Sequence, residues 1–571
     1  MIDLYRLLAE HPPEVLRVIA EQWQVSLWES DTIGIARRLG DAMLASGALE
    51  RRIAGLSAAA RTALYTLARE GGMASSKSLA LRFGGLRRIG PSALERERPW
   101  AAPVSPIEEL FYAGLVYRGF GAVPGGHGEL LLLPRELQER LPRFHETDAD
   151  IIETAPEPTA PLDDGVALSE DGLAILSFLR RARPLAADIA HSQLPAWLAV
   201  NGPLAGRLLG EVSGPRLALL WRLLRRMGLI ETQDGRLVPS LAARDWLRAR
   251  DVSRAARLYR AWRDDTSIDD LSQVPGLSCD PNGCPHDPKV ARANLAAFLK
   301  RLTPGQWYTA DGLLEALKRQ RPTFLRPDGD MVSWLIRDSA SGQYLQGPQS
   351  WKQVEGRLAL YLLSQPLRWL GLVSVSIGTD GVKSLRLTTL GAAILGSSSA
   401  PSATRPSPLA QVEADGTIRV ALTQSAYERY QLERIATWQS QSDVALYRLS
   451  DESVWEGYNG AITVPQMLAF LKRISGDRVP ASLALTMQAW GGRFGRATLR
   501  QATLLVLADE HTASDIQHDR RASAMIAEAL TPTILVVRPE AKNELTELLK
   551  AKGIWPRIIT DSPAPSADPE H

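Results

Sequence analysis

The stretch MGLIETQDGRLVPS, residues 227–240, carries an apolar run into a Gly-Leu step, then a short strand, an Asp-Gly turn and a second strand. Glycine is a common helix stop because the left-handed conformation it adopts there costs little only for Gly. Asp234-Gly235 then reverses the chain as a tight hairpin does. The same order occurs twice more. AGLVYRGFGAVPGGHGELLLLP starts at Ala113 and turns at Gly125-Gly126, and LGLVSVSIGTDGVKSLRLT starts at Leu370 and turns at Asp380-Gly381. Amphipathic segments precede each one: 56–72 and 75–84, then 168–184 and 215–228, then 291–320 and 351–371. Helices followed by a two-stranded hairpin predict a winged helix-turn-helix, and three copies predict a tandem array. For any single copy the alternative is an α+β unit that merely ends in a hairpin.

The rest of the chain sets the frame. Its 571 residues exceed what one hydrophobic core serves, so several domains are expected. An acidic, Pro-rich stretch at 146–165 and a Ser/Pro/Ala stretch at 396–408 read as linkers, and 561–571 as a disordered tail. The expected division is therefore a helical segment with the first winged helix (1–145), the acidic linker (146–165), a second winged helix with basic helices (166–265), and a third with an insertion (266–395). A linker (396–408), a smaller α/β or α+β domain (409–560) and the tail follow. The fold class expected is multidomain, mainly α with small β-hairpins. Two cysteines imply no disulfide framework, and no apolar run is long enough to span a bilayer. The amino terminus, MIDLYRLLAEHPPEVL, is not a signal peptide. A cytoplasmic protein with no membrane partner is expected.

Net charge is only +2, so any anion-binding surface must be local. Residues 216–263 hold twelve arginines against Glu231, Asp234, Asp245 and Asp251, an excess of eight positive charges. Arg216, Arg222, Arg225 and Arg226 lie on or near the helix before the second hairpin, and Arg236 lies in the hairpin. Arg254, Arg257, Arg260 and Arg263 recur every third residue, which places part of the set along one helix. Such a stripe suits a phosphate-tracking surface; a solvated helix face, or one paired with the acidic linker, is the competing reading. The first copy differs, since PIEELFYAG carries Glu108 and Glu109 and no cation, which suits packing or protein contact. The third offers Lys318 and Arg319, with Arg321, on its second helix and Lys352, Arg357 and Arg368 on its third. Its insertion, 326–351, carries Trp334 and Trp351, which could stack on unpaired bases or cover a core.

Three strings invite an enzymatic reading. Cys279, Cys284 and His286 in LSCDPNGCPHDP are weak metal candidates, because a tetrahedral site needs a fourth ligand and no second pair exists. GTDGVKS (378–384) has too few residues between its glycines, and Val382 where a phosphate loop needs Gly. TLLVLADEHTA (503–513) ends in Asp509-Glu510-His511 like a helicase acidic box, but no triphosphate cradle accompanies it. No catalytic residue and no cofactor is expected.

In the last quarter, the residues Val412, Asp415, Gly416, Thr417, Ile418 and Val420 are followed by Tyr447, Leu449 and Ser450. Phe470, Leu471, Ser475, Val479, Pro480, Trp490, Gly495 and Arg496 continue the pattern, and TPTILVVRPEAKNELTELLKAKG closes it. This order resembles a bacterial helicase-associated family related to the N-terminal, damage-recognition-type region of XPB-like helicases. The resemblance implies an accessory part without an ATPase motor, a role around DNA in repair or transcription, and a helicase or other repair or transcription protein as partner. Arg493 and Arg496, with Arg500, are candidate DNA contacts there. The expected function is non-catalytic DNA binding; the alternative is a protein-interaction scaffold.

Overall fold

The computed structural model describes residues 3–28, 31–123, 126–142, 152–186, 204, 206–280, 283–284, 286–326, 329–399, 406–500 and 502–559. Residues 124–125 of the first hairpin turn, 143–151 leading into and opening the acidic linker, 400–405 of the second linker and the 561–571 tail lie outside them. The chain separates into two compact units, Met1–Ala484 and Leu485–His571. The division falls inside the block read as 409–560.

The three hairpin repeats share one stop geometry. Gly114, Gly228 and Gly371 all have positive φ, near 70°, so the same left-handed stop ends the helical part three times. Each of their carbonyls accepts a side-chain hydroxyl: Tyr117 Oη at 2.8 Å, Ser240 Oγ at 2.5 Å and Thr388 Oγ1 at 2.7 Å. Ser240 and Thr388 also cap the helices that follow their hairpins. The freed carbonyl at each helix end is thus satisfied within its own repeat, three residues on in the first and across the hairpin in the other two.

In the first repeat, β1 (Met73–Ser75) follows the helix Ala58–Arg69 and leads into Ser76–Phe83. It pairs antiparallel with β3 (Gly126–Leu132), which pairs with β2 (Tyr117–Val123). The helix before the hairpin is Pro106–Tyr112. In the second repeat, the helices Ala167–Ala182 and Gly214–Arg226 precede β4 (Ile230–Gln233) and β5 (Arg236–Pro239). Leu185 takes the place of β1, bridging to Arg236, with Leu237 N–H donating to Pro184 O at 2.9 Å. The third repeat opens with β6 (Leu277–Cys279) and the helix Pro288–Leu299. Next come β7 (Trp307–Thr309) and the helix Ala310–Gln320. Its inserted segment contributes β8 (Ile336–Asp338), paired with β6. Helix Arg357–Ser364 then leads to β9 (Val373–Gly378) and β10 (Gly381–Leu387), with β10 between β7 and β9.

Periodicity explains the packing. Gly214–Arg226 buries Leu217, Leu220, Leu223 and Leu224 at helical spacing and starts with Pro215 in its first turn, where the missing N–H costs nothing. Trp334 and Trp351 of the insertion are buried, at 4% and 2% exposure, in the core shared by the second and third repeats. They cover that core, so the base-stacking expectation is corrected.

The acidic linker needs a second correction. Its described part, 152–165, edges the third repeat's sheet. Thr309 N–H donates to Glu153 O at 3.0 Å and Ala155 N–H to Trp307 O at 2.9 Å. Leu162 exchanges backbone hydrogen bonds with Val375, and Asp163 accepts from Ser374 Oγ at 2.8 Å. Free backbone groups on both sheet edges draw the segment in, although its composition favours disorder.

Residues 409–484 form a four-stranded antiparallel sheet in the order β11 (Ala410–Val412), β12 (Thr417–Ala421), β14 (Val444–Arg448) and β13 (Thr437–Gln441). The Asp415-Gly416-Thr417 turn is built from its own side chains. Asp415 accepts from Thr417 N–H and Oγ1 and from Arg448, which holds its carboxyl down at about 2. Helices Ala426–Leu432, Asp451–Asn459 and Val464–Ser475 pack with this sheet. The second unit has its own sheet, with β17 (Ile534–Val537) between β15 (Thr503–Val506) and β16 (Ile526–Thr531). Leu507, Ile516, Leu535, Leu545 and Leu549 form its core.

Candidate nucleic-acid interface

The arginines of 216–263 fall into three groups. Arg216 and Arg254 are fully buried. Arg216 Nη1 meets Asp171 at 2.6 Å, with Asp164 of the acidic segment 3.5 Å from its Nε. Arg254 Nη2 meets Glu170 at 2.8 Å and Asp251 at 2.9 Å. Neither reaches solvent, so both leave the phosphate-contact set as a correction. A second group is tied at the surface. Arg226 reaches Asp265 at 3.3 Å and the Asp264 carbonyl at 3.1 Å, and Arg236 donates to Arg183 O at 2.9 Å. Arg248 donates to Tyr427 Oη at 2.9 Å, and Arg263 pairs with Asp264 at 2.7 Å.

The third group is Arg222, Arg225, Arg244, Arg250, Arg257 and Arg260. All six are exposed, and none of their guanidinium groups makes an ion pair or hydrogen bond to any of the described residues. On Gly214–Arg226 the outward positions Ala218, Arg222 and Arg225 share one face, opposite the buried leucines. On the helix Asp251–Arg263, Arg257 and Arg260 face out while Ala255, Leu258, Tyr259 and Trp262 face in. The Arg226–Asp265 pair joins the carboxy-terminal ends of these two helices. Two carboxylates sit at that corner. The Asp264 carboxyl is held down by the Arg263 hydrogen bond. At Asp265 burial pushes upward, but hydrogen bonds from Ser267 and the nearby Arg226 and Arg222 leave it low. Both are therefore ionised near neutrality and offset part of the arginine charge.

The buried group has a different job. Glu170 lies between Arg254 and Arg429, accepting at 2.8 and 2.5 Å. Burial alone would raise its carboxyl, and the two guanidinium groups outweigh that and hold it below its usual range. Arg429 belongs to the 409–484 part, so this triad fastens the carboxy-terminal sheet to the second repeat. Around it Arg207 meets Glu433 at 2.5 Å, Arg181 meets Glu456 at 3.0 Å, and Arg180 donates to Tyr430 O at 2.6 Å. Sequence reading did not single out Glu170, Asp171 or Arg429. Their one local signal is the Glu170-Asp171 pair inside an otherwise apolar helix, LSEDGLAIL.

In the first repeat Glu108 is fully buried. It accepts from Arg87 Nε at 2.8 Å and Nη2 at 2.7 Å, and from Val104 N–H at 2.8 Å. Glu109 accepts from the N–H and Oγ of Ser57, the N-cap of the earlier helix Ala58–Arg69, at 2.8 and 2.6 Å. In the third, Lys318 and Arg319 are exposed, and Lys318 Nζ lies 5.9 Å from the Trp351 ring centre. Lys352 pairs with Asp311 at 2.8 Å, Arg357 with Asp338 at 3.1 Å, and Arg368 is buried against Asp164 and Glu211. In the second unit Arg493 and Arg496 are exposed, Arg496 Nε donating to Gly492 O at 3.2 Å, and Arg500 pairs with Glu528 at 3.0 Å.

The chemical strings resolve into structure. Cys279 and Cys284 place their sulfurs 2.8 Å apart, and burial pushes both thiols up. His286 turns its Nε2 to Asp269 at 3.1 Å. Among the described residues no group of three His, Cys, Asp or Glu could hold a metal ion. GTDGVKS forms the β9–β10 turn, with Lys383 on Asp380 at 2.9 Å. Asp509 caps the helix Glu510–His518 through Thr512. Among the described residues no helix is long and apolar enough to cross a membrane.

Comparison with known proteins adds one finding. No curated protein matches the chain. A family model described as the helicase conserved C-terminal domain matches residues 411–531, which run from β11 to the end of β16 and link the chain to helicase-related families.

Proposed function

We propose that this chain is a non-catalytic DNA-binding protein whose three helix–hairpin repeats are winged helices. In this reading it resembles the accessory region of XPB-like helicases and acts in repair or transcription beside a separate motor or other partner. The observation that carries the reading is the set of unpaired, outward arginines on the second repeat, Arg222, Arg225, Arg257 and Arg260. Their neighbours Arg216 and Arg254 are neutralised inside the protein. An arginine kept unpaired at the surface costs little and remains available to a phosphate. The outer face of Gly214–Arg226 would meet the groove, and Asp251–Arg263 the backbone. The match to a helicase domain over 411–531 supports a setting around DNA.

A second reading, a protein-interaction scaffold, draws support from the arginines of the second repeat that hold the 409–484 part. Fluorescence anisotropy with duplex, single-stranded and forked DNA across a salt series separates the two. The proposal requires binding that falls steeply with salt and weakens in Arg222/Arg225/Arg226→Ala. No binding at low salt would leave the scaffold.

A further inference from the structure

A second cationic surface lies away from the second repeat, where four helices of the first and third repeats end. Ala58–Arg69 ends in Arg69 with Glu70 as its cap, and Ser76–Phe83 has Arg82 in its last turn. Pro288–Leu299 ends at Lys300 and Arg301, and Ala310–Gln320 at Lys318, Arg319 and Arg321. Side chains tie these ends together. Arg301 Nη1 donates to Gln320 Oε1 at 2.8 Å, and Arg321 Nη1 to Asn294 Oδ1 at 3.2 Å. Across the two repeats Ser78 Oγ stands 3.5 Å from Thr323 Oγ1. A Cβ on Gly329 would lie 3.1 Å from the Lys77–Ser78 backbone. Glu70 feels Arg82, Arg321 and Arg69 together, although burial still leaves its carboxyl raised. Arg321 is desolvated there, with Arg301 as a like-charged neighbour.

Cations in last helical turns have an ordinary explanation, since each offsets its own helix dipole. The magnitudes show that it does not suffice. Four helix ends contribute roughly −0.5 charge each, or about −2 in all. Set against Glu70 and Glu315, the seven cations leave five positive charges, with Lys77 and Asp330 beside them cancelling, so about three remain after the dipoles are satisfied. A surplus of that size on adjoining ends of two repeats creates a field that attracts polyanions. Arg69, Lys300, Arg301, Lys318, Arg319 and Arg321 are exposed, and Arg82 is half-buried. The patch is built of cations spread over adjoining helix ends, which fits a repeating phosphate backbone better than a folded acidic protein.

We propose that this junction of the first and third repeats is a second nucleic-acid contact, taking the phosphate backbone without reading sequence. It rests on the DNA-binding reading above but uses different residues, so the two can fail separately. The test uses the full chain and a labelled 30-bp duplex at low salt. Arg222/Arg225/Arg257/Arg260→Ala removes the second repeat's face, and Lys300/Lys318/Arg319→Ala is then added to it. All substituted positions are exposed, and circular dichroism and melting temperature verify folding. The proposal expects residual, salt-sensitive binding in the first variant. The added substitutions should weaken it at least about tenfold and lower the salt slope by up to about three. If the first variant binds nothing, or the added substitutions change nothing, the junction is not a nucleic-acid contact, while the second repeat's role stands. If the unaltered protein binds no DNA, both readings fall.

Discussion

The first and second repeats both end in a helix and hairpin and differ in what the helix before the hairpin shows to solvent. Pro106–Tyr112 buries Ile107, Glu108, Leu110, Phe111 and Tyr112, so almost none of its surface is free. Gly214–Arg226 buries one face and leaves Arg222 and Arg225 on the other. Glu108 is neutralised within its own repeat by Arg87, so it neither repels a phosphate nor attracts a partner. The lesson concerns charge accounting: a charged residue informs about function only after its internal partners are known. Both repeats keep buried carboxylate–arginine pairs, but of the helices before the two hairpins only the second repeat's leaves arginines on its outer face.

The sharpest way to separate buried from exposed arginines is to remove the carboxylate that the buried ones share. Glu170→Ala strands Arg254 and Arg429 in the interior. Breaking a buried pair from one side typically costs about 3–5 kcal/mol, because a desolvated charge loses its partner. Urea unfolding should show a loss of that order, with early exposure of the 409–484 sheet to proteolysis. A loss under about 1 kcal/mol would mean that water reaches the triad.

The first repeat's block has a pH dependence of its own. His11 is wedged against Phe111 and Tyr117, its Nε2 buried without a partner. Burial, helped by Arg118, pulls its pKa down to about 4. The folded chain therefore keeps a neutral imidazole that the unfolded chain protonates below about 6.5. The contribution is complete above pH 6.5 and is lost as pH falls toward 4, on the order of 3 kcal/mol across that window. His11→Leu should flatten this part of the stability–pH curve. An unchanged slope would place the titration elsewhere.

For the exposed arginines the expected sign is opposite: affinity changes and stability does not. Arg222/Arg225/Arg257→Ala should lower duplex affinity on the order of 100-fold at low salt and reduce the salt slope by about three. The melting temperature should stay within a degree or two, since surface changes of this kind are usually within about 0.5 kcal/mol. The corresponding change in the first repeat, Glu109→Ala, should leave DNA affinity untouched. If it does not, the contrast between the repeats fails.

Much of the skeleton was legible because local rules and tertiary packing agree. The Gly-Leu stops, the Asp-Gly turns and the leucine spacing of Gly214–Arg226 each encode one outcome. The Asp415-Gly416-Thr417 turn is spelled in its own side chains. Other features were not legible, and for identifiable reasons. Residues 152–165 have the composition of a linker, yet they are drawn into a sheet by edges that belong to β7 and β9. The segment IAEALT, 526–531, has helical composition and becomes β16 because β17 offers it an edge. The stripe of arginines gave the right periodicity but not its phase. Arg254 falls on the buried side and Arg257 on the exposed one. Asp251 lies one turn before Arg254, but Glu170, which Arg254 shares with Arg429, lies at a distant position that no spacing rule connects.

The smallest expected effect tests the hairpin itself. Arg236 is exposed on β5, and its one bond, to the Arg183 carbonyl, ties the hairpin to the segment that pairs beside it. In water such a bond is worth little, so Arg236→Ala should change stability by less than about 1 kcal/mol. In the DNA-binding reading the same guanidinium lies where a wing meets the backbone, and its removal should lower the salt slope by about one. The bond to Arg183 and a bond to phosphate can coexist, because a guanidinium has five donors. A stability change without an affinity change would make the hairpin structural and confine recognition to the two helices.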